Sequence, residues 1–324
     1  MGKELRKVDI SFIIPCYGSE DTLCGVCDEI RQKMSERSEK KYEIITVNDC
    51  SPDNVWNVML EMSEERPEVK CINLAKNGGK HAAVMAGLNW ASGEYIVLLD
   101  DDGQCPLDRL WDLLEPLKND WDIAIAKYKE KKESRFKRFG SMLNNIMSIH
   151  MINKPKDLQL SNFLAFKRFV ADEVIKYTSA FPYIDGLLLR TSSKICNVPM
   201  EQRERAAGVG NYTLKKSLAL FLNGFTAFSV KPLRVADIIG AVSAAGGFLY
   251  ALAIIIRKLV TPEIAVGYSS LMAVILIIGG IIMLLLGLIG EYVGRIYICL
   301  NNSPQYVIRE KINIDPDVNN NERS

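Results

Sequence analysis

Two long uncharged stretches near the C-terminus place the strongest limit on how this chain can fold. No Asp, Glu, Lys or Arg occurs from Ile238 to Ile256 or from Ile264 to Gly290. About 20 apolar residues are enough for a helix to cross the hydrocarbon core of a bilayer. We therefore predict two transmembrane helices, at about 236–257 and 264–290. The alternative is a pair of buried core helices, although the second stretch exceeds most globular helices and lacks a polar stripe.

The residues around these stretches predict a membrane hairpin whose two ends lie on the same side. The connecting loop, Arg257 to Glu263, is too short to form a domain. Between Asn211 and Phe228 apolar residues recur on one helical face, which favours an amphipathic interfacial helix over a core-facing one. Basic residues flanking the hairpin outnumber those in its loop: Lys231, Arg234, Arg295 and Arg309 against Arg257 and Lys258. This bias predicts a multi-pass protein of the inner (plasma) membrane, with its larger domain and both termini in the cytosol.

Strand-like and helix-like segments alternate through the first part of the chain. Short β-branched runs are separated by segments with apolar residues at three- and four-residue spacing. The runs are Ile10–Ile14, Tyr42–Val47, Val69–Leu74, Tyr95–Leu99 and Asp122–Ala126. This alternation predicts an α/β domain with a mainly parallel sheet, helices on both faces, and ligands at the carboxyl ends of the strands.

These patterns divide the chain into four predicted parts. Residues 1–210 form the soluble domain, and 211–234 form the amphipathic helix and a linker. Residues 235–300 form the membrane hairpin, and 301–324 form a cytosolic tail that is partly disordered. The tail assignment rests on its polar end, which contains three consecutive asparagines.

Composition argues against several other classes of protein. The formal net charge is +1 and both signs are mixed, so nucleic-acid binding is not indicated. The eight cysteines are scattered, and the Cys24-x-x-Cys27 pair has no second pair or histidine nearby. Neither a zinc site nor a disulfide framework follows, and reduced thiols suit a cytosolic domain. The charged segment Met1 to Lys7 leads into a short strand-like run, so no cleavable signal peptide is predicted.

The predicted strand Tyr95–Leu99 runs directly into three consecutive carboxylates, Asp100, Asp101 and Asp102. Adjacent carboxylates repel one another unless a cation or strong hydrogen-bond donors compensate. In an extended chain Asp100, Asp102 and Gln104 point to the same side, because the side-chain period is two. Such oxygens can hold Mg²⁺ or Mn²⁺ beside a diphosphate. The alternative is an ordinary acidic turn after a strand.

Polar residues also follow the first two predicted strands. The first ends near Pro15, and Tyr17 just beyond it can stack on a base. Glu20 and Asp49 offer acceptors to the N–H of a uracil ring or to ribose hydroxyls. The alternatives are a helix N-cap for Asp53 and solvated loop positions for the others.

Five motifs spread over almost the whole chain carry a family resemblance. They are Ile13–Tyr17, Val47–Asp53, Leu99–Gln104, Arg205–Tyr212 and Gly290–Arg295. With them, residues from about Asp9 to Glu310 resemble family 2 glycosyltransferases of the polyprenyl-phosphate type, which include dolichyl-phosphate mannose synthase and bacterial undecaprenyl-phosphate glycosyltransferases. The resemblance implies a GT-A-like, Rossmann-type domain. It also implies transfer of a sugar from a nucleotide-diphosphate sugar, UDP-linked rather than GDP-linked, to a polyprenyl phosphate at the bilayer.

The resemblance also implies roles for individual residues. The residues expected to bind the nucleotide sugar are Pro15, Tyr17, Glu20, Asp49, Lys80, Asp100 and Asp101. Asp100, Asp102 and Gln104 would hold Mg²⁺ or Mn²⁺. Arg205, in a loop with Gly208 and Gly210, would contact phosphate and act in catalysis with Asp102. For Lys80, at a predicted helix start, a structural role is the alternative.

Two positions depart from the family pattern. Gly18 stands where an asparagine is usual, and Asn48 replaces the first of two aspartates. The stretch from Leu158 to Arg168, acidic in many relatives, contains Gln159 and Asn162 instead. A catalytic carboxylate in that stretch is therefore not assigned.

The chemistry of the acceptor decides whether a base is needed at all. A phosphate monoester has a second pKa of about 6, so a lipid phosphate is largely ionised near neutral pH and can attack without a general base. A single displacement would invert the anomeric centre. A sugar-hydroxyl acceptor would need a base, for which Asp185 is the leading candidate. Arg135 and Arg138, in a basic segment, are the candidates for binding the acceptor phosphate, with a solvated helix face as the alternative.

Two further functions stay open at this point. One is a membrane glycosyltransferase acting on a sugar hydroxyl or a polysaccharide, although a processive synthase would be expected to have more spans and a Gln-x-x-Arg-Trp motif that this chain lacks. The other is a non-catalytic membrane scaffold that retains a nucleotide-binding fold. Association of the chain into homo-oligomers is also left open.

Overall fold

The computed structural model describes residues 8–128, 154–155, 157–203, 231–260, 268–301 and 303–314. The chain divides into two compact units. The first contains Met1–Asn211 and Asn302–Ser324, and the second contains Tyr212–Asn301. The predicted interfacial helix at 211–228 lies outside the described residues.

The described part of the first unit contains one mixed sheet with helices on both faces. Its strands are β1 Ile10–Cys16, β2 Tyr42–Asn48, β3 Val69–Leu74, β4 Tyr95–Leu98, β5 Ile123–Tyr128, β6 Leu164–Lys167, β7 Ile195–Met200 and β8 Ile308–Ile312. Its α-helices are α1 Leu23–Ser35, α2 Val55–Glu65, α3 Lys80–Trp90, α4 Leu110–Leu114, α5 Arg168–Val174 and α6 Ile184–Thr191. Short 3₁₀ turns, Leu107–Arg109 and Glu115–Lys118, flank α4. The predicted α/β class is confirmed.

The strand order is β7-β5-β6-β4-β1-β2-β3-β8. Parallel pairing joins β4, β1, β2 and β3, and also β5 with β7, because helical crossovers connect these strands. The short strand β6 is antiparallel to both of its neighbours, β4 and β5. The carboxyl ends of β1, β2 and β4 therefore lie side by side at one edge of the sheet.

Alternation along the central strands supplies apolar side chains to both faces of the sheet. In β1, Phe12 and Ile14 pack with α1, α2 and α4, whereas Ile13 packs with α3, α5 and α6. Helix α3 lies very close to the sheet at Gly87, where an added Cβ would come within 2.5 Å of Ile13 Cγ2. This contact lets α3 pack closely against β1 and β2.

The segment after the membrane hairpin contributes a strand that the sequence analysis did not predict. Ile308–Ile312 pairs antiparallel with β3, and Ile72 lies opposite Lys311. This edge strand lacks a regular alternation of apolar and polar residues, because it contains three consecutive exposed charged residues: Arg309, Glu310 and Lys311. The predicted tail at 301–324 therefore includes one strand of the sheet. Local sequence pattern does not predict this strand, because its pairing depends on β3, which is distant in sequence.

The second unit contains two long helices, α7 Lys231–Val260 and α8 Tyr268–Leu300. Many of their large apolar side chains are exposed, for example Phe248, Leu271 and Met283. Among the described residues, one segment, Ile277–Leu300, is long and apolar enough to cross a membrane by length and composition. The predicted spans at 236–257 and 264–290 fall largely within α7 and α8.

Candidate active site

Asp49, at the end of β2, is buried and holds the turn before α3. Gly78 N donates to its Oδ1 at 2.7 Å, and Gly79 N donates to its Oδ2 at 2.9 Å. Asn77 Nδ2 donates to the Asp49 carbonyl oxygen at 3.0 Å. Burial raises the pKa of Asp49, while the two glycine N–H groups oppose that rise. Gly79 has φ +84, a conformation that favours glycine, so the turn delivers Lys80 to the strand ends.

The neighbouring residue, Asn48, gives a structural reason for one departure from the family pattern. Its Oδ1 accepts a hydrogen bond from Ser51 N at 3.0 Å. Its Nδ2 donates to Asn73 Oδ1 at 3.0 Å on the adjacent strand. An ionised aspartate could accept from Ser51 but could not donate to Asn73. Asn48 is buried and works as a structural link below the site.

Asp100, at the end of β4, is held by two positively polarised partners. Lys80 Nζ contacts its Oδ1 in a short ion pair. Asn162 Nδ2 donates to its Oδ2 at 2.7 Å. These contacts partly compensate the repulsion expected among three adjacent carboxylates. They also bring α3, β4 and the segment before β6 together at one point.

Asp101 connects the loops that follow β1 and β4. Its Oδ2 accepts a hydrogen bond from Tyr17 N at 3.1 Å, and its carbonyl oxygen accepts one from Thr22 Oγ1 at 2.6 Å. Burial raises the pKa of Asp101 to about 6. Asp101 therefore fixes the loop after β1 against the loop after β4.

Tyr17 and Glu20 line the rim formed by the loop after β1. The Tyr17 side chain is 56% exposed, which leaves its ring open to a stacking partner. Glu20 Oε2 accepts a hydrogen bond from Asn54 N at 2.8 Å, and Glu20 N donates to Asp53 Oδ2 at 3.0 Å. This reciprocal pair joins the loops after β1 and β2. Pro15 is buried within β1, so it shapes the strand end from below.

The turn that contains Asp102 and Gln104 is linked to the end of the β7 segment. Gln104 N donates to Asp102 Oδ1 at 3.1 Å, around Gly103 at φ +73. Arg203 N donates to the Gln104 carbonyl oxygen at 3.2 Å. The Arg203 guanidinium forms short ion pairs with Glu29 and Asp108. The described segment therefore ends at Arg203, beside the carboxylate turn, and Arg205 lies outside the described residues.

The donor set has the chemistry for a divalent cation but does not form a complete protein cage. Asp100, Asp102 and Gln104 are the oxygen-bearing side chains of one short turn. Over the described ranges, no group of three or more His, Cys, Asp or Glu is arranged to hold a metal. Mg²⁺ is usually bound by one or two carboxylates together with substrate phosphates. The donor types are therefore those that a divalent cation uses when phosphate oxygens complete its coordination.

Asp185 lies at the start of α6, near the same lysine. Burial raises its pKa to about 6, and the charge of Lys80 and a hydrogen bond with Tyr183 oppose that rise. Burial also lowers the pKa of His81 to about 4, with the Lys80 charge acting in the same direction. The His81 ring contacts Tyr183 edge to face, with centroids 5.1 Å apart, and its Nδ1 accepts Ile184 N–H at 3.4 Å. A neutral His81 thus links the start of α3 to the start of α6.

The described structure brings most of the predicted residues to one edge of the sheet. Lys80 forms an ion pair with Asp100, and its charge also acts on Asp185. Sequence reasoning gave no role to Asn162, Asn77 or Arg203 as partners of the site. The amide at Asn162 was visible only as a departure from an acidic pattern, and its partner comes from another strand end. Arg135 and Arg138 lie outside the described residues.

A mixed sheet flanked by helices, with carboxylates and an exposed aromatic ring at its carboxyl edge, defines the GT-A-like class of fold. The comparisons with known proteins agree with this class. Residues 11–175 match the model of glycosyl transferase family 2, and residues 231–296 match the GtrB C-terminal hairpin. The chain belongs to glycosyltransferase family 2.

Relatives match along almost the whole chain. An uncharacterized glycosyltransferase of Bacillus subtilis, YkcC, is 32% identical over 96% of this chain and 96% of its own. The undecaprenyl-phosphate 4-deoxy-4-formamido-L-arabinose transferase of Proteus mirabilis is 28% identical, over 97% of each chain. A bactoprenol glucosyl transferase of Shigella phage SfII is 30% identical over 93% of this chain and 97% of its own. This chain is therefore a glycosyltransferase that carries the hairpin as well as the family domain.

Solved structures support the fold. The crystal structure of mannosyl-3-phosphoglycerate synthase from Rubrobacter xylanophilus superposes with a TM-score of 0.51 at 16% identity. The match covers 66% of this chain and 72% of that one. At this identity the likeness concerns the fold alone.

Proposed function

We propose that this protein transfers a sugar from a nucleotide-diphosphate sugar to a polyprenyl phosphate, with inversion at the anomeric carbon. The observation that carries the proposal is the combination of the carboxylate edge around Asp100 with a C-terminal apolar hairpin in one family 2 chain. The names of the undecaprenyl-phosphate and bactoprenol relatives support the lipid acceptor. UDP is the proposed nucleotide, on the family resemblance.

The proposed donor site lies between the loops after β1 and β2. The exposed Tyr17 ring stacks on the base. Glu20 and Asp49 accept hydrogen bonds from the base or the ribose through the carboxylate lone pairs that are not used by backbone N–H groups. Asp101 and Pro15 shape the floor of this site. Asp49 also places Lys80, whose ammonium group can turn from Asp100 to a phosphate oxygen of the donor.

Asp100, Asp102 and Gln104 are the residues that would hold a divalent cation, Mg²⁺ or Mn²⁺. Such an ion, when bound, would neutralise charge on the departing diphosphate. Lys80 supplies positive charge at the same place, since it already pairs with Asp100. The short ion pair keeps this carboxylate oriented before the donor arrives.

The proposed acceptor is already a nucleophile, so the protein has to position it more than activate it. An ionised lipid phosphate needs no proton removed before it attacks the anomeric carbon. Holding the two reactants in line can account for much of the barrier reduction. We assign Arg205 to the leaving diphosphate and Arg135 and Arg138 to the acceptor phosphate, as proposals on residues outside the described ranges.

The proposed location follows from the hairpin. The C-terminal helices anchor the protein in the plasma membrane, with the family 2 domain and both termini in the cytosol, where nucleotide sugars and the phosphate end of the lipid are both accessible. Residues 1–210 with the β8 segment form the transferase domain, 211–234 the interfacial helix and linker, and 235–300 the membrane hairpin. Two membrane spans and homo-oligomer formation remain proposals.

The test is a transfer assay with the purified full-length protein. A panel of nucleotide sugars is offered with polyprenyl phosphate and Mg²⁺ or Mn²⁺, and the lipid product is identified by mass. Asp102→Ala should lower transfer by about 100-fold or more, because the divalent cation that would compensate the diphosphate charge would lose an oxygen ligand. Asp112→Ala is the matched control, since that carboxylate pairs with Arg109 on the exposed face of α4. Undiminished transfer by Asp102→Ala would count against the mechanism, and a soluble glycan product without glycolipid would show that the acceptor is wrong.

A second candidate function is transfer to a sugar hydroxyl. The raised pKa of Asp185, about 6, suits a general base near neutral pH. The two candidates differ in what they require of this carboxylate, because only a hydroxyl acceptor needs a base to remove its proton.

A further inference from the structure

Residues 303–314, which follow the apolar hairpin in sequence, belong to the first unit and are held at both ends of β3. We call them the return segment. At the carboxyl end of β3, Ala75 N donates to the Val307 carbonyl oxygen at 2.8 Å. At the opposite end, Asn313 Nδ2 donates to the carbonyl oxygens of Ser63 and Val69, at 2.8 and 3.1 Å. Between them Lys311 Nζ lies 3.7 Å from the centroid of the Trp90 ring.

Gln305, in the return segment, contacts the loop between α5 and α6. Its Nε2 donates to the Tyr177 carbonyl oxygen at 2.6 Å and to the Ser179 carbonyl oxygen at 2.9 Å. A primary amide has two N–H donors, so both hydrogen bonds form at once. This loop leads directly to Tyr183 and Asp185.

The backbone of the same residue lies against the turn before α3. A Cβ added to Gly78 would come within 3.3 Å of the Gln305 carbonyl oxygen, so the two backbones are in close contact. Gly78 N is one of the two donors that hold Asp49, and the turn ends at Lys80. Gln305 therefore touches both chain segments that deliver charged groups to the site.

These two segments also contact each other through His81 and Ile184. Residues 77–79 and 177–183 belong to no helix or strand, so their positions depend on such side-chain and backbone contacts. A loop that is fastened on two sides has fewer accessible conformations than one fastened on a single side. A small displacement of positioned groups is costly for transfer reactions.

From this arrangement we propose that Gln305 is a positioning residue for sugar transfer. It fixes the 77–81 and 177–185 segments with respect to each other, and so sets the placement of Lys80, which pairs with Asp100, relative to Asp185. The effect on sugar transfer rests on the proposed function, whereas the placement of the two segments by Gln305 does not depend on it.

The test compares three full-length variants in detergent. Gln305→Glu keeps the shape of the side chain but removes both N–H donors, and Gln305→Ala removes the side chain. Asn313→Gly is the matched control, because it also loses two amide-to-carbonyl hydrogen bonds in the return segment, but at the far end of β3. Glycine at this position also tolerates the φ of +57 that Asn313 adopts.

Amide hydrogen exchange and transfer kinetics are measured on each variant. Both Gln305 variants should exchange about tenfold faster in the 177–185 segment, because the two side-chain hydrogen bonds to Tyr177 and Ser179 are lost, and kcat/KM should fall about tenfold. Asn313→Gly should leave exchange in that segment and kcat/KM within about twofold of wild type. Equal exchange in the Gln305 variants and the control would overturn the proposal.

The same experiment separates the two ideas. If the wild type forms no lipid-linked sugar, the proposed function fails, while the exchange comparison still decides the positioning role. If the wild type is active and the Gln305 variants exchange faster but retain wild-type kcat/KM, the residue is structural only and the positioning role is wrong.

Discussion

Glu43 makes a buried polar network at the amino end of the sheet, far along β2 from the site. Its side chain is 2% exposed and accepts hydrogen bonds from Ser11 Oγ at 2.5 Å and from Ser92 N and Oγ at 2.7 and 2.9 Å. Lys70 Nζ lies 2.6 Å from the other carboxylate oxygen. Ser11 Oγ in turn accepts Gly93 N at 2.8 Å. One carboxylate therefore joins β1, β2, β3 and the turn between α3 and β4.

Removing this carboxylate should lower the free energy of unfolding, because its buried hydrogen-bond and ion-pair partners cannot all be rehydrated. Breaking a buried ion pair typically costs about 3–5 kcal/mol. The Lys70 side chain is 21% exposed and can be partly rehydrated, which places Glu43→Ala near the lower limit, at about 3 kcal/mol. At about 2–4 °C per kcal/mol for a unit of this size, the unfolding temperature should fall by about 6–12 °C.

The pH dependence identifies the charge as the cause. The contacts from Lys70 and Ser11 hold the pKa of Glu43 below its ordinary value of 4.5, although burial alone would raise it. A depressed pKa means that the contribution is fully present above the unfolded value and is lost as pH falls through the folded value. The difference in unfolding temperature between the wild type and Glu43→Gln should therefore be constant from pH 7 to 5. It should shrink below about pH 4.5.

The assay is thermal unfolding of the full-length protein in detergent, followed by tryptophan fluorescence. Glu61→Ala, on the exposed face of α2, is the control and should change the unfolding temperature by less than about 2 °C. A Glu43→Ala shift no larger than that of the control would refute the reasoning. So would a difference between wild type and Glu43→Gln that does not depend on pH below 4.5.

Two further predictions concern the site and the core. Asp185→Asn should leave the rate of transfer to polyprenyl phosphate within about fivefold of wild type. If the acceptor is a sugar hydroxyl, the same substitution removes the base, and the rate should fall by about 100-fold or more. Initial rates with each acceptor decide between the two functions. Gly87→Ala should destabilise the first unit by about 1–3 kcal/mol, because the new Cβ meets Ile13. Gly25→Ala in α1, whose Cβ would meet nothing within 4 Å, should be neutral or stabilising in the same unfolding assay.

Local pattern was sufficient for the central strands and most of the flanking helices. The predicted runs at Ile10–Ile14, Tyr42–Val47 and Val69–Leu74 all lie within observed strands. Those strands are buried on both faces, so their composition is strongly restricted. The strands β6, β7 and β8 were not predicted, because they are short, partly exposed or paired with segments far away in the chain. Propensity carries little information in such segments.

The polar motifs also showed which residues to examine but not what each one contacts. Asp100, Asp102 and Asp49 stand out in the sequence because they follow strands. Nothing in the spacing indicates that Lys80 and Asn162 share the two oxygens of Asp100, or that Asp49 uses both of its oxygens on the turn at Gly78 and Gly79. These partners come from other strand ends, so they require the sheet order.

The sequence by itself determined the α/β class, the long apolar C-terminal stretches and the clusters of acidic residues after the strands, because each follows from local periodicity or charge. The tertiary structure alone decided which loops meet at the carboxyl edge and how the return segment reaches them through Gln305. Those contacts join residues more than 100 positions apart, such as Gln305 with Tyr177. Only the paired strands bring such groups within hydrogen-bonding distance, because no local rule records a distant neighbour.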